Sequence, residues 1–245
     1  MAALPMSMAD PAINVTGLSR TFGGRVVVRG VSVMAHPGEV IGLVGANGGG
    51  KTTTLRMLAG LLRPTSGSGR VLGADVNHPA RAMRKQIGYM TQSLALYREL
   101  TVAENLHFRA RILCRDAPGA QAAVVDEFGL ASVLSSRIGE LSGGWARRVQ
   151  FAASVIHRPA LLLLDEPTAG LDAKTRQDMW GWIASLAAGG STVLVSTHDL
   201  HEAERCPLIV HFRDGEAEGP FPPETLTRRS GAATLEAAII AEAGE

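Results

Sequence analysis

The chain has little cysteine. Cys114 and Cys206 stand alone, in neither a C-x-x-C nor a zinc-ligand spacing, which argues against a disulfide framework or a structural zinc and fits free thiols in a reducing compartment. It lacks an excess of either charge: 24 Lys and Arg against 23 Asp and Glu leave a net +1. No electrostatic footprint therefore points to nucleic acid, and no nucleic-acid partner is expected. It also lacks a long hydrophobic run. The best stretch, Val149 to Leu164, is broken by His157, Arg158 and Pro159 and falls short of the ~18 residues of a membrane span. Met1 to Pro11 has no basic region followed by an apolar core, so no signal peptide is expected. If the protein serves a membrane, it does so from one side. His198 and His201 in His-Asp-Leu-His resemble a metal pair, but no second ligand cluster accompanies them.

What is present is globular: 46% apolar and 19% charged residues over 245 positions are enough for a substantial core. Ile13–Thr16 alternates as a weak strand that Gly17 ends, and Val26–Val33 is a firmer one. Glu39–Val44 reads as a buried strand, followed by a glycine-rich turn and a helix over Thr52–Leu62 with Leu55, Leu58, Ala59 and Leu62 on one face. Ile87–Thr91 is a further short strand, and from Val102 to Ile156 the pattern is helical. Strands return at Leu161–Leu164 and Thr192–Val195, with a helix over Thr175–Leu186 between them. Strands and helices alternate at both ends of a helical block. That pattern predicts an α/β fold, a parallel sheet with a helical insertion. The tail from Pro220 reads as peripheral, with a short helix over Thr234–Ala243.

Gly45-Ala46-Asn47-Gly48-Gly49-Gly50-Lys51-Thr52 fits G-x-x-x-x-G-K-[ST] between a strand and a helix. Glycines let successive backbone N–H groups point at phosphate oxygens, and the following helix adds its positive end. Lys51 would hold the β and γ phosphates, and Thr52 would offer a hydroxyl to Mg²⁺. A plain connecting turn would not need three consecutive glycines. The strand Leu161–Leu164 runs into Asp165-Glu166, placing two carboxylates where α/β sheets bind ligands. Asp165 would hold Mg²⁺ and Glu166 would activate the attacking water. By itself the pair could equally be a solvated strand end; beside a phosphate loop the catalytic reading prevails.

Three further segments complete a pattern: Leu141-Ser142-Gly143-Gly144, then Leu164-Asp165-Glu166-Pro167-Thr168-Ala169-Gly170-Leu171-Asp172, then Ser196-Thr197-His198-Asp199. With the phosphate loop, and in this order, they resemble the ATP-binding domain of ABC proteins from about Ile13 to Arg213. The resemblance implies a P-loop NTPase core (12–92 and 159–219) with an antiparallel β subdomain near the N-terminus. It also implies a helical subdomain over 93–158 and a tail over 220–245. It implies ATP and Mg²⁺ as cofactors, with Gly45, Asn47, Gly48, Gly49, Gly50, Lys51, Thr52 and Thr53 at the nucleotide. Phe22 matches the aromatic that stacks on adenine. Gln92 matches the glutamine that reaches Mg²⁺ and the attacking water and senses the membrane subunit. Ser142, Gly143 and Gly144 match the signature that closes over the γ-phosphate held by the other subunit. Asp172 matches a dimer-contacting aspartate and His198 the histidine on the γ-phosphate.

From the residues alone, Ser142 could instead be a helix N-cap followed by turn glycines, and His198 a structural histidine at a strand end. Two positions depart from the family pattern. Trp145 stands where Gln is common, which puts that side chain's hydrogen bond in doubt. Gly49 stands where Ala is usual and should loosen the loop without altering its contacts. Trp145, the stretch Leu96–Leu106 and the ending Thr234–Ala238 are similar to ATPases of type 2 ABC exporters. In the last two segments an ordinary amphipathic helix competes as the explanation. The expectation is thus an ATP-hydrolysing subunit that pairs with a copy of itself or a related subunit. It would work on the cytoplasmic face of a membrane beside a separate integral permease. The alternatives are a soluble ABC ATPase of assembly or nucleic-acid maintenance, and a regulatory module with little turnover.

Overall fold

The computed structural model describes residues 10–243. The reading of Met1–Pro11 as free of a signal peptide falls mostly on positions 1–9, outside the described residues, as do the last two residues of the tail. Strands β1 (Ile13–Phe22) and β2 (Arg25–Ala35) form a hairpin, and β3 (Val40–Gly45) leads into helix α1 (Lys51–Leu58). Next come β4 (Ser66–Val71), β5 (Ala74–Asp75), α2 (Arg81–Arg84) and β6 (Ile87–Met90). Helices α3 (Val102–Leu113), α4 (Ala117–Glu127) and α5 (Gly143–Val155) precede β7 (Leu161–Asp165). The chain continues through α6 (Ala173–Ala188), β8 (Thr192–Thr197), α7 (Leu200–Ala203), β9 (Leu208–Arg213), β10 (Glu216–Phe221), α8 (Glu224–Ser230) and α9 (Leu235–Ala243).

Two sheets result. The smaller has the order β2-β1-β4-β5, with antiparallel pairing throughout. The larger runs β10-β9-β3-β8-β7-β6, parallel except for its β9–β10 edge. This is the expected α/β fold, with α3, α4 and α5 inserted between β6 and β7. Successive strand residues face opposite sides, so a strand covered on both faces is apolar throughout. Leu161 and Leu163 join the core shared with α1 and the small sheet, while Leu162 and Leu164 join the core under the helices. Among the described residues, no helix is long and apolar enough to cross a membrane.

Three readings need correction. Gly17 does not end β1: the strand passes through it to Phe22, with a register shift on either side of Gly17 that its positive φ of 66° accommodates. The helix after the phosphate loop stops at Leu58, not Leu62, as Gly60 turns the chain at φ 66°. The segment after Pro220 is not peripheral, since Leu226, Leu235 and Ala238 are buried in the helical-side core.

Candidate functional site

Four neighbouring parallel strands, β3, β8, β7 and β6, end on the same edge of the large sheet. Their C-terminal ends deliver the phosphate loop, His198, the Asp165–Glu166 pair and Gln92, in that order. This edge is where α/β sheets assemble ligand sites.

The phosphate loop depends on glycine at two points. A Cβ on Gly45 would lie 2.3 Å from the Phe212 carbonyl oxygen of the adjacent β9. Gly50 starts α1 at φ 103°, a backbone that side-chain-bearing residues rarely adopt. The loop therefore curls tightly against β9 and releases α1 with its first N–H groups unpaired within the helix, which suits an anion. The ammonium of Lys51 is folded into this curl and donates to Gly45 O at 2.7 Å and Ala46 O at 2.9 Å. Its side chain is buried, and burial lowers its pKa, with Glu166 and Asp165 pulling partly the other way. A cavity of about 830 Å³ lies against the loop, lined by Asn47, Gly48 and Gly49, by Arg25–Val27 of β2 and by the β9–β10 turn.

At the end of β7 the carboxylates split their roles. Asp165 Oδ1 accepts from Thr52 Oγ1 at 2.9 Å and from Ser196 Oγ at 2.7 Å. Glu166 takes a left-handed backbone, φ 49°, with its N–H donating to Ser196 O at 3.1 Å and Ser196 Oγ at 3.0 Å. Such a conformation costs about 1–3 kcal/mol for a residue other than glycine and persists only when its surroundings fix it. Gln92 Nε2 donates to Glu166 Oε2 at 3.0 Å. His198 Nδ1 lies 3.2 Å from Glu166 Oε1. Glu166, His198 and Asp199 share a pocket of about 140 Å³.

The signature segment sits elsewhere. Ser142 and Gly144 line a different cavity, about 570 Å³, with Trp145, Gly170, Asp172 and Thr175. Ser142 occupies the N-cap position of α5, yet its side chain makes no capping bond, so the hydroxyl is not spent on the helix. Asp172 does cap: it accepts from Thr175 N at 2.9 Å, and that bond, with the Thr175 hydroxyl, holds its carboxyl below the usual range. Phe22 ends β1, 44% exposed, with the Arg20 guanidinium 4.6 Å from its ring centroid. It is close in sequence to Gly24–Val27, which line the phosphate-loop cavity, but does not line it itself. Thr53 lies in the first turn of α1.

Sequence reasoning missed Ser196, which ties Asp165 to Glu166. It also missed Arg147 and Gln150, which bind the Gln92 loop. Ser196 lies inside the quoted Ser-Thr-His-Asp segment. Arg147 and Gln150 carry no signal beyond being polar on a helix.

Residues 28–169 match the family described as ABC transporter. The chain is 38% identical over 224 residues to a probable multidrug ABC transporter ATP-binding protein of Escherichia coli (strain K12), covering 90% of this chain and 39% of that protein. It thus spans about two fifths of that relative's length. It is 38% identical over 223 residues to the Nod factor export ATP-binding protein I of Paraburkholderia xenovorans (strain LB400), covering 89% of this chain and 73% of that one. Among solved structures it is similar to an ATP-binding subunit of an ABC transporter, with TM-score 0.85, 28% identity, and 94% of this chain and 98% of that one covered. It is also similar to a dimeric ATP-binding cassette in a post-hydrolysis state with ADP and Pi, with TM-score 0.78, 25% identity, and 86% and 98% covered.

Proposed function

The chain belongs to the ABC transporter family, and from that premise we propose that it binds and hydrolyses ATP as a pair of copies to drive export through a separate membrane subunit. The observation that carries this reading is the convergence of Lys51, Thr52, Asp165, Glu166, Gln92 and His198 at one sheet edge. The β and γ phosphates fit the curl at Gly45–Gly50, where loop N–H groups and the Lys51 ammonium replace lost water. Thr53 extends the cradle along α1, and Phe22 offers its ring to the base.

The residues also fit Mg²⁺. The Thr52 hydroxyl, the Asp165 carboxylate and the Gln92 amide oxygen are hard oxygen donors, and Mg²⁺ takes few protein ligands beside phosphate and water. When bound, the metal neutralises charge on the phosphates. Glu166 accepts a proton from the water it orients, Gln92 holds that carboxylate in place, and His198 donates to the γ-phosphate. Ser142, Gly143 and Gly144 lie outside the phosphate-loop cavity of their own chain, so they serve the ATP of a second copy. There an unspent hydroxyl and the α5 N-terminus meet the γ-phosphate, and Asp172 lies at the contact. ATP then bridges two copies, and its hydrolysis releases them.

The membrane subunit docks on the helical insertion. Tyr97 and Phe108 meet edge to face at 5.5 Å and stay exposed, as does Ile112. The groove beside them is lined by Ala103, Glu104, His107, Phe108, Arg111 and Gln121. The chain then works at the cytoplasmic face of the membrane. The relative named above as a Nod factor export ATP-binding protein supports export as the direction.

Glu166→Gln tests the reading. The variant binds ATP, accumulates as a dimer on size-exclusion chromatography, and turns over at least 100-fold more slowly than wild type. Wild-type turnover by the variant would remove Glu166 as the base.

A further inference from the structure

Three consecutive carbonyls, those of Thr91, Gln92 and Ser93, are capped by two side chains one turn apart on α5. Gln150 Nε2 donates to Thr91 O at 3.1 Å and to Ser93 O at 2.9 Å. Arg147 Nη1 donates to Thr91 O at 3.2 Å, and Nη2 donates to Gln92 O. Arg147 Nη1 also donates to Gln150 Oε1 at 3.1 Å, so the two act as one unit. Residues spaced i, i+3 share a helix face, and here that face grips the chain as it leaves β6. Loop carbonyls at a surface are ordinarily satisfied by water. Gln150 instead is 3% exposed, and burial lowers the pKa of the Arg147 guanidinium, with Glu166 and Asp165 pulling it back up. Holding a charge in such a place is unfavourable unless it is paired. The arrangement spends that cost on fixing one short segment, the segment whose Gln92 amide reaches Glu166 at 3.0 Å.

We propose that Arg147 is a positioning residue for hydrolysis: it fixes the backbone at 91–93 so that Gln92 stays on Glu166, and it couples that contact to the helix that Ser142, Gly143 and Gly144 begin. This rests on the reading of Glu166 as the carboxylate that orients water. Arg147 lies one turn inside α5, so a shift of the signature on meeting a second copy's ATP moves the guanidinium with it. A two-pronged guanidinium contact tolerates little displacement. The Gln92 amide, and through it the Glu166 carboxylate, therefore responds to whether the signature is engaged. The same link runs backward, from a membrane subunit pressing on the Gln92 loop to α5.

A double-mutant cycle in the full chain tests this, with Arg147→Met, Gln92→Ala and the two combined. Expected are a fall in kcat of about ten-fold for Arg147→Met and a KM for ATP within about two-fold of wild type. The combined variant is then no slower than Gln92→Ala alone, and Arg147→Lys, which keeps the charge but not the fork, is intermediate. Hydrogen exchange of the 90–96 segment speeds up in Arg147→Met. Effects of Arg147→Met and Gln92→Ala that multiply would overturn the proposal, as would a raised KM at unchanged kcat. If Arg147→Met does not fold, the cycle is run with Arg147→Lys under the same criteria. Normal turnover by Glu166→Gln removes the underlying reading, and the inference with it. Lost turnover there, with multiplicative Arg147 and Gln92 effects, removes the inference alone.

Discussion

Arg148 Nη2 lies 2.7 Å from Asp178 Oδ2, and its guanidinium is held between two indoles, 4.9 Å from the Trp145 centroid and 5.0 Å from that of Trp182. Trp182 in turn meets Phe128 edge to face and stacks on Phe151. Trp145, where the family commonly has Gln, is thus one wall of a cation site joining α5 to α6. The ion pair is partly exposed and is worth little alone, but two aromatic faces add to it. Arg148→Met is expected to lower stability by about 2 kcal/mol, and Trp145→Gln by about 1 kcal/mol. Urea unfolding midpoints check both. A Trp145→Gln variant as stable as wild type would show that the indole is not part of the clamp.

How far such features are legible beforehand depends on their physics. Leu161–Leu164 reads as a strand because burial on both faces leaves it no polar position. The phosphate loop is legible because close backbone approach demands glycine at fixed positions. β4, Ser-Gly-Ser-Gly-Arg-Val, carries no apolar pattern. Its pairing with β1 comes through backbone bonds and through Gly67 and Gly69, whose added Cβ would strike β1 at 2.4 Å and 2.3 Å. β9 escapes because His211 and Arg213 interrupt its apolar run, although Ile209, Val210 and Phe212 fill the core. Arg147 and Gln150 act on carbonyls, which every residue has, so no residue type at the other end signals the contact.

Lys51 is held where burial disfavours its charge, and the pull of Glu166 and Asp165 offsets this only in part. A group kept for binding at a cost to folding is a common trade. Lys51→Met keeps the length and removes the charge. Its thermal midpoint in the absence of nucleotide is expected to equal or exceed that of wild type. Millimolar ATP should raise the midpoint of wild type, as a ligand of the native state does, and leave the variant unmoved. A large ATP shift in Lys51→Met would mean that the ammonium does not hold phosphate.

His157, at the turn between α5 and β7, has its pKa lowered by burial. The Ile87 backbone partly offsets this, while Arg109 adds to it. The unfolded chain therefore binds a proton near the ordinary histidine pKa of ~6.5 that the folded chain refuses until lower pH. Protons favour the unfolded state in that window, so this contribution to stability is present above it and is lost as pH falls through it. His157→Asn removes the term. Between pH 7.5 and 5.5 the urea midpoint of wild type should fall more than that of the variant. Equal slopes would place the acid sensitivity elsewhere.

Arg176 spans the site's rear. It lies 3.3 Å from Asp199 Oδ2 and 3.5 Å from Glu202 Oε1, and donates to Leu171 O at 3.5 Å. Glu202 is only 4% exposed, and its other oxygen accepts from Thr197 Oγ1 at 3.0 Å. The arginine thus joins the segment before Asp172 to the residue after His198, and supplies the countercharge for a buried carboxylate. Removing one partner of such a pair costs more than the pair is worth, because the other charge is left buried and uncompensated. Arg176→Met should therefore lose about 2–3 kcal/mol, scaled down from a fully buried pair because the arginine is itself partly exposed. Neutralising the orphan should return stability: Arg176→Met with Glu202→Gln is expected to recover more than half of the loss, since the amide can still accept from Thr197. Chemical unfolding of the three variants measures the coupling, and a double variant less stable than Arg176→Met would show that Glu202 is held by something other than this arginine.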